Sequence, residues 1–292
     1  MSRRLQVLLT IPLALLGVHC VDGERPVGQQ AQGIAGGTAD TADTSIVSVV
    51  NGALGGAGVC SGSLIAPNLV LTARHCVSYV SHESVWCQGF TDTDGAVRTP
   101  TLTMEPYAAG TFLVTTNQTL RRPRDGGAPV AHFVSRVILP ADSTGVELCG
   151  RDIALLELAD NVPAAEAVPL VPRIDMAPEV GEGYSAIGYG GTDDNGTGLG
   201  QRRILTGLTV FFVGQIVAER PVSLEVETDE EWSGDTGVCG GDSGGPALSL
   251  HREVLGAVSR GAANCDRPVY TRVDSFAELI RGAASEAAVH GH

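Results

Sequence analysis

From Ile34 onward the chain is a succession of short apolar, β-branched runs, each broken within a few residues by Gly, Asn, Asp or Pro. Examples are Ser45–Val50, Ser63–Thr72, Phe112–Thr116, Ile153–Leu158, Ile204–Phe212 and Glu253–Val258. Runs this short, with turn residues between them, fit strands and not long helices, and they predict an all-β protein. The 38 glycines agree, since turns need them, and a scarcity of aromatic residues, 4% of the chain, fits the same picture. Residues 159–180 hold four prolines and no period, which makes them a connector between two half-structures. Near the end, Phe276, Leu279 and Ile280 share a helical face, so a closing helix is expected over about 274–289.

The charge narrows the function. Nineteen basic residues against 33 acidic ones give a net of −14, and every basic residue is arginine. A strongly acidic chain without lysine has no electrostatic footprint for nucleic acid, and it rules out lysine Schiff-base chemistry. The missing lysine itself reads as coding bias in a GC-rich bacterial genome.

Arg3 and Arg4 followed by an apolar stretch from Leu5 to Val18 read as a signal peptide over residues 1–20, the apolar core being too short to span a bilayer. A short propeptide over 21–33 follows, and one domain over 34–292. Export is therefore expected, to the outside or to a periplasm. Cys20 offers a site for a lipid anchor, but Gly17 and His19 fit the usual lipobox poorly and plain secretion is the better reading. In an oxidising compartment Cys60, Cys76, Cys87, Cys149, Cys239 and Cys265 can form disulfides, and six cysteines allow fifteen pairings.

Three strings carry chemistry. In Gly240-Gly241-Asp242-Ser243-Gly244-Gly245-Pro246 a serine is flanked by glycines that permit a tight turn with several N–H groups aimed at one point. Leu71-Thr72-Ala73-Arg74-His75-Cys76 puts a histidine at the end of an apolar strand, and Arg151-Asp152-Ile153-Ala154-Leu155-Leu156 puts a lone carboxylate at the head of another. Buried there, Asp152 needs a partner.

With His75, Asp152 and Ser243 in that order, the sequence resembles the trypsin-like (chymotrypsin-fold) serine proteases, in the form of a bacterial exported member, from Ile34 to about Ile280. Further matching strings are Ile34-Ala35-Gly36-Gly37, Ser63-Leu64-Ile65, Gly188-Tyr189-Gly190 and Val269-Tyr270-Thr271-Arg272-Val273. The order His, Asp, Ser separates this family from subtilisins and α/β-hydrolases. The resemblance implies two six-stranded antiparallel β-barrels, about 46–160 and 177–273, with the active site between them. It implies a secreted endopeptidase acting on protein or peptide substrates, with His75, Asp152 and Ser243 catalytic and the N–H groups of Gly241 and Ser243 as oxyanion hole. Disulfides Cys60–Cys76, Cys239–Cys265 and Cys87–Cys149 follow from it, as does a zymogen in which an activating protease frees Ile34 to pair with Asp242. Gly33 stands where Arg or Lys is usual, so the activator is not expected to be trypsin-like.

The resemblance also places a substrate pocket at Gly237, Val238, Ser259, Gly261 and Pro268. Gly237 occupies the position of a pocket-floor Asp in trypsin-type enzymes, so an uncharged, small-to-medium apolar residue is expected before the cut. Arg74 replaces a small residue, and Arg260 replaces a tryptophan, turning an apolar shelf cationic. The interval from His75 to Asp152 is long, which predicts inserted loops around 91–130, including Arg121-Arg122-Pro123-Arg124. The acidic run Glu225, Glu227, Asp229, Glu230 and Glu231 reads as a solvated loop. Asp92, Asp94 and Gly95 lack the full spacing of a calcium loop, so neither metal nor cofactor is expected. The alternative to an enzyme is a catalytically silent, protease-like binding protein.

Overall fold

The structure, a computed structural model, describes residues 34–52, 58–80, 90–91, 95, 97–98, 105–120, 130–141, 148–214 and 228–290. The expected signal peptide, propeptide, Cys20, Cys87 and the Arg121–Arg124 run all lie outside these. The strands in chain order are β1 (Thr38–Ala39), β2 (Ile46–Asn51), β3 (Gly58–Ala66), β4 (Leu69–Thr72), β5 (Phe90–Thr91), β6 (Val97–Arg98), β7 (Phe112–Thr115), β8 (His132–Ile138) and β9 (Ala154–Leu158), then β10 (Gly183–Gly188), β11 (Arg203–Val213), β12 (Glu231–Gly234), β13 (Pro246–Ser249), β14 (Val254–Ala262) and β15 (Asp266–Arg272). A helix, α1 (Ala277–His290), follows a short 3-10 turn at Asp274–Phe276.

Strands β2-β3-β4-β9-β8-β7 close into one antiparallel barrel. In the second half the order is β11-β10-β13-β14-β15-β12, closed by pairing of β11 with β12, with β1 added outside β11. The fold is thus two six-stranded barrels and a C-terminal helix. Among the described residues no helix is long and apolar enough to cross a membrane.

The continuous apolar character of the first-barrel strands follows from burial on both faces. Side chains alternate along a strand, so Val70, Ala154, Leu156 and Leu158 fill the barrel while Leu69, Leu71, Ile153 and Leu155 point out of it. The outward set meets Ile187, Leu248 and Val254 of the second half and Phe276, Ile280 and Ala283 of the C-terminal segment. The second barrel has its own core, in which Trp232 stacks on Tyr270 at 4.2 Å and Tyr184 meets both edge-on. One departure from the sequence reading is the Ser63–Thr72 run, which is two strands. Pro67 and Asn68 break it, and the Asn68 side chain donates to the Ala287 carbonyl at 3.0 Å, tying α1 to the first barrel.

A buried ion pair joins the halves. Arg202, at the entrance to β11, donates through Nε to Asp40 at 2.9 Å. Its Nη1 donates to the carbonyls of Thr116 at 2.9 Å and Ile46 at 3.2 Å in the first barrel. The Tyr189 hydroxyl donates to the Asn117 carbonyl at 2.7 Å beside it. Removing one partner of such a pair leaves an uncompensated buried charge. Arg202→Met is therefore expected to lower unfolding free energy by about 3 kcal/mol, read as a lower urea midpoint at constant slope; a loss below about 1 kcal/mol would show that the pair does not hold the halves together.

Candidate active site

Strand β4 delivers His75. After Thr72 the chain passes Ala73 into a single 3-10 turn, Arg74–Cys76, in which the Val77 N–H donates to the Arg74 carbonyl at 2.9 Å. The Cys60–Cys76 disulfide fastens this turn to β3. It closes a loop of 16 residues, for which chain entropy gives about 3 kcal/mol of stabilisation. Arg74, unusual at this place, packs as a buried side chain.

Asp152 sits two residues before β9 and is 0% exposed. Its Oδ1 accepts the His75 backbone N–H at 2.8 Å, and its Oδ2 lies 2.7 Å from His75 Nδ1 and accepts the Ser259 hydroxyl at 2.6 Å. Thr271 donates to its carbonyl at 3.1 Å. A carboxylate can only accept, so the proton of the neutral ring is on Nδ1 and Nε2 is left as a base. Burial pulls the His75 pKa down, but the charge and hydrogen bond of Asp152 outweigh it and the net shift is upward from 6.5. For Asp152 burial pushes up, and the His75 charge and the donated hydrogen bonds win, so its pKa is lowered. The His75 side chain keeps 21% exposure, enough to meet a substrate.

Ser243 arrives from the other half, on the turn that leads into β13. Gly241 has φ +99° and Gly244 φ +77°, and a Cβ at Gly244 would stand 2.5 Å from the Ser61 carbonyl oxygen. Only glycine serves at both. The Ser243 carbonyl accepts the Ser61 N–H at 2.8 Å and lies 3.6 Å from the Cys76 sulfur, so the turn is seated beside the His75 turn. Among the described residues the Ser243 hydroxyl makes no hydrogen bond to the His75 ring, a contact that commonly tightens only when substrate is bound. The N–H groups of Gly241 and Ser243 likewise have no acceptor among the described residues.

Asp242 turns inward. Its carboxylate accepts the N–H groups of Gly190 at 2.7 Å and Cys239 at 3.0 Å, in a space that a Cβ on Gly188 or Gly190 would fill. Burial pushes its pKa up to about 7, against the smaller pull of those two N–H groups and of the Arg203 charge. Ile34 is buried in the second-barrel core with Val238, and a Cβ on Gly237 would stand 3.2 Å from it.

Gly261, Val238 and Pro268 face one another. A Cβ on Gly261 would lie 3.7 Å from the Val238 carbonyl oxygen and 3.9 Å from Pro268 Cα. The Cys239–Cys265 disulfide and the Gly237 N–H, which donates to the Cys265 carbonyl at 2.8 Å, brace this wall. Cys149 is also disulfide-bonded.

Two readings change. Arg260 does not present a cationic shelf: its guanidinium is 9% exposed and donates to both oxygens of Glu231, at 2.6 and 2.9 Å. Glu231, expected in a solvated loop, is 0% exposed and also accepts the Gly150 N–H at 2.7 Å. The two charges are 29 residues apart in sequence and cancel, which no local pattern announces. Ser259, expected only in the pocket wall, is a hydrogen-bond partner of Asp152. Cys60, His75 and Cys76 cluster closely enough to suggest metal ligands, but the cysteines are joined to each other and His75 Nδ1 faces Asp152.

Residues 34–280 match the family model described as Trypsin. The chain belongs to the trypsin family. It is similar to human Kallikrein-2, 24% identical over 233 residues that make up 76% of this chain and 78% of that one. It is 28% identical over 240 residues to Trypsin Blo t 3 of Blomia tropicalis, with 76% of each chain covered, and 25% identical to the vitellin-degrading protease of Bombyx mori over 77% and 76%. Among solved structures, human heparin binding protein superposes with a TM-score of 0.58 at 20% identity, over 85% of this chain and 95% of that one, a likeness of fold. As a trypsin-family member the protein is a serine-type endopeptidase acting on protein or peptide substrates, and its disulfides fit an extracellular protein.

Because Asp152 is what lifts the His75 pKa, Asp152→Asn is expected to move the acid limb of kcat/KM to lower pH and, on the base role proposed below for His75, to lower turnover by about 10⁴-fold. An unmoved acid limb in pH–rate profiles would detach Asp152 from the base.

Proposed function

We propose that this trypsin-family endopeptidase cleaves peptide bonds through Ser243, His75 and Asp152. The observation that carries the reading is the His75–Asp152 pair, whose geometry leaves Nε2 as the free base beside the Ser243 turn. The Ser243 oxygen attacks the carbonyl carbon as His75 Nε2 takes its proton, and Asp152 stabilises the resulting imidazolium. The oxyanion receives the free N–H groups of Gly241 and Ser243, each such donor being worth about 10²- to 10³-fold in rate. As the tetrahedral intermediate collapses, His75 gives the proton to the leaving amine. Water then attacks the acyl-enzyme with His75 again as base, releasing the acid and restoring Ser243.

The same reading makes the chain a zymogen cut between Gly33 and Ile34. Asp242 is a buried carboxylate near its neutralisation point, awaiting a cation, and the new Ile34 ammonium is that cation. In the uncut chain Ile34 is held at φ +40°, a left-handed conformation that a β-branched residue resists, and cleavage abolishes that torsion. Export is supported by the disulfides and the N-terminal pattern, with Cys87 as partner of Cys149; a lipid anchor at Cys20 is the lesser reading. The relatives compared are animal proteins, so a bacterial source rests on the absence of lysine alone. The pocket reading favours an uncharged, small-to-medium apolar residue before the cut, because Gly237 offers no carboxylate and Pro268 narrows the wall. Binding of a polyanion without turnover, as the name of the heparin binding protein would suggest, is disfavoured by a net charge of −14.

Protein beginning at Ile34 is expected to react with a serine-directed fluorophosphonate and to cut a mixed peptide library after small or medium apolar residues, and Ser243→Ala is expected to do neither. Absence of both label and cuts would contradict the mechanism, and cuts after Arg would contradict the pocket. A second outcome follows from Asp242. A carboxyl with a raised folded pKa stabilises fully below its unfolded value, near 4, and loses that contribution as pH rises through about 7. The uncut chain is expected to lose up to roughly 4 kcal/mol between pH 4 and pH 8 through this group, while the chain beginning at Ile34 is not. Equal pH slopes of the urea midpoint in the two forms would contradict the pairing.

A further inference from the structure

The turn that carries Ser243 has glycine at positions 240, 241, 244 and 245, and glycine gives a backbone freedom that works against a fixed oxyanion site. Something outside the turn has to hold it. Asp242 anchors one side from within the second half, through Gly190 and Cys239. On the other side a single residue of the first barrel meets the turn at two places. The Ser61 backbone N–H, in β3, donates to the Ser243 carbonyl at 2.8 Å, and the Ser61 hydroxyl donates to the Gly241 carbonyl at 2.9 Å. The same hydroxyl accepts the Tyr189 N–H at 2.9 Å, and Thr72 donates to the Ser61 carbonyl at 2.8 Å. Ser61 is fully buried, and a Cβ on Gly188 would stand 3.0 Å from its hydroxyl oxygen, so the side chain has one place to be.

We propose that Ser61 is a positioning residue for the oxyanion hole: the peptide that carries the Gly241 N–H is held at its Gly240 carbonyl by the Gly191 N–H at 2.9 Å, the Ser61 hydroxyl holds the next peptide at the Gly241 carbonyl, and together they fix the torsions of Gly241 between the two planes. The backbone bond from Ser61 persists in any variant, but the hydroxyl bond belongs to serine. Without it the Gly241–Asp242 peptide keeps, among the described residues, only the bond from the Asp242 N–H to the Cys239 carbonyl at 3.0 Å, and the loosened Gly241 torsions tilt the N–H away from the developing oxyanion, a misalignment felt in the transition state and not in substrate binding. The inference rests on the proposed roles of Ser243 and Gly241.

The test compares Ser61→Ala and Ser61→Gly with wild type and with Ser48→Ala, all beginning at Ile34. Ser48 is equally buried, on β2, and donates to the Cys60 carbonyl at 3.3 Å without reaching the nucleophile turn, so its loss reports structural damage alone. Both Ser61 variants are expected to lose about 10- to 100-fold in kcat with KM within twofold, because part of one oxyanion donor is lost. The inhibition constant of a peptide boronic acid, whose tetrahedral adduct places an oxygen in the same hole, is expected to rise in proportion. The acid limb of the pH profile stays in place, and Ser48→Ala keeps kcat within twofold. Retention of kcat in the Ser61 variants, a loss confined to KM, or an equal loss in Ser48→Ala would each overturn the inference. A wild-type protein that neither turns over nor takes the fluorophosphonate would instead bring down the reading beneath it, and this inference with it.

Discussion

Asp152 has no access to water, and an ionised carboxylate in that position is tolerated only if its oxygens are taken by donors. Two of those donors come from its own barrel, the backbone and ring of His75, and one comes from across the cleft, the Ser259 hydroxyl on β14. Thr271 on β15 adds a bond to the backbone of the same residue. The carboxylate can be satisfied only when the barrels are docked, and once they are docked the His75 ring has a single orientation and tautomer. Folding and the orientation of the His75 ring are thus linked through one side chain. The outward apolar faces of β4 and β9 supply the docking energy that lets Asp152 be placed this way, and Arg202, paired with Asp40, adds hydrogen bonds to the Thr116 and Ile46 carbonyls across the interface.

Asp242, equally buried, obeys the opposite logic. Among the described residues Asp242 has two backbone N–H donors and the charge of Arg203, and burial outweighs them, raising its pKa to about 7. The proposed pairing with a freed Ile34 ammonium answers this shortfall. The glycine-rich turn that contains Asp242 and Ser243 is pliable in itself; the Asp242 carboxylate ties it to Gly190 and Cys239 of its own half, and Ser61 ties it to the first barrel. The order of this turn is therefore imported from both halves.

The short apolar runs and the turn residues between them made an all-β protein legible, since each strand records burial on one or both faces, while the two-barrel arrangement was legible only through the family resemblance. The residues proposed for chemistry were legible because His75, Asp152 and Ser243 sit inside strings that recur with their neighbours. Partners contributed from far away in sequence were not. Ser259, Glu231 opposite Arg260, Ser61 and the Arg202–Asp40 pair act across separations set by the closing of barrels, and a serine on a strand looks the same whether it faces a void or a carboxylate. Glu231 is the clearest case. Its acidic neighbours make it look solvated, and only the arrival of the Arg260 guanidinium and the Gly150 N–H allows it to be buried. The break in the Ser63–Thr72 run was marked by its turn residues Pro67 and Asn68, but the apolar residues on both sides of them read as one run.

The central claim is that Asp152 keeps His75 in one tautomer and raises its pKa against the pull of burial. Proton and nitrogen NMR of the His75 ring in Ser243→Ala protein beginning at Ile34 reads this directly, with no substrate and no turnover. The account predicts an Nδ1 proton strongly shifted downfield by the Asp152 bond, an unprotonated Nε2 at high pH, and a titration midpoint above 6.5. A midpoint at or below 6.5, or a proton residing on Nε2 in the neutral ring, would contradict it.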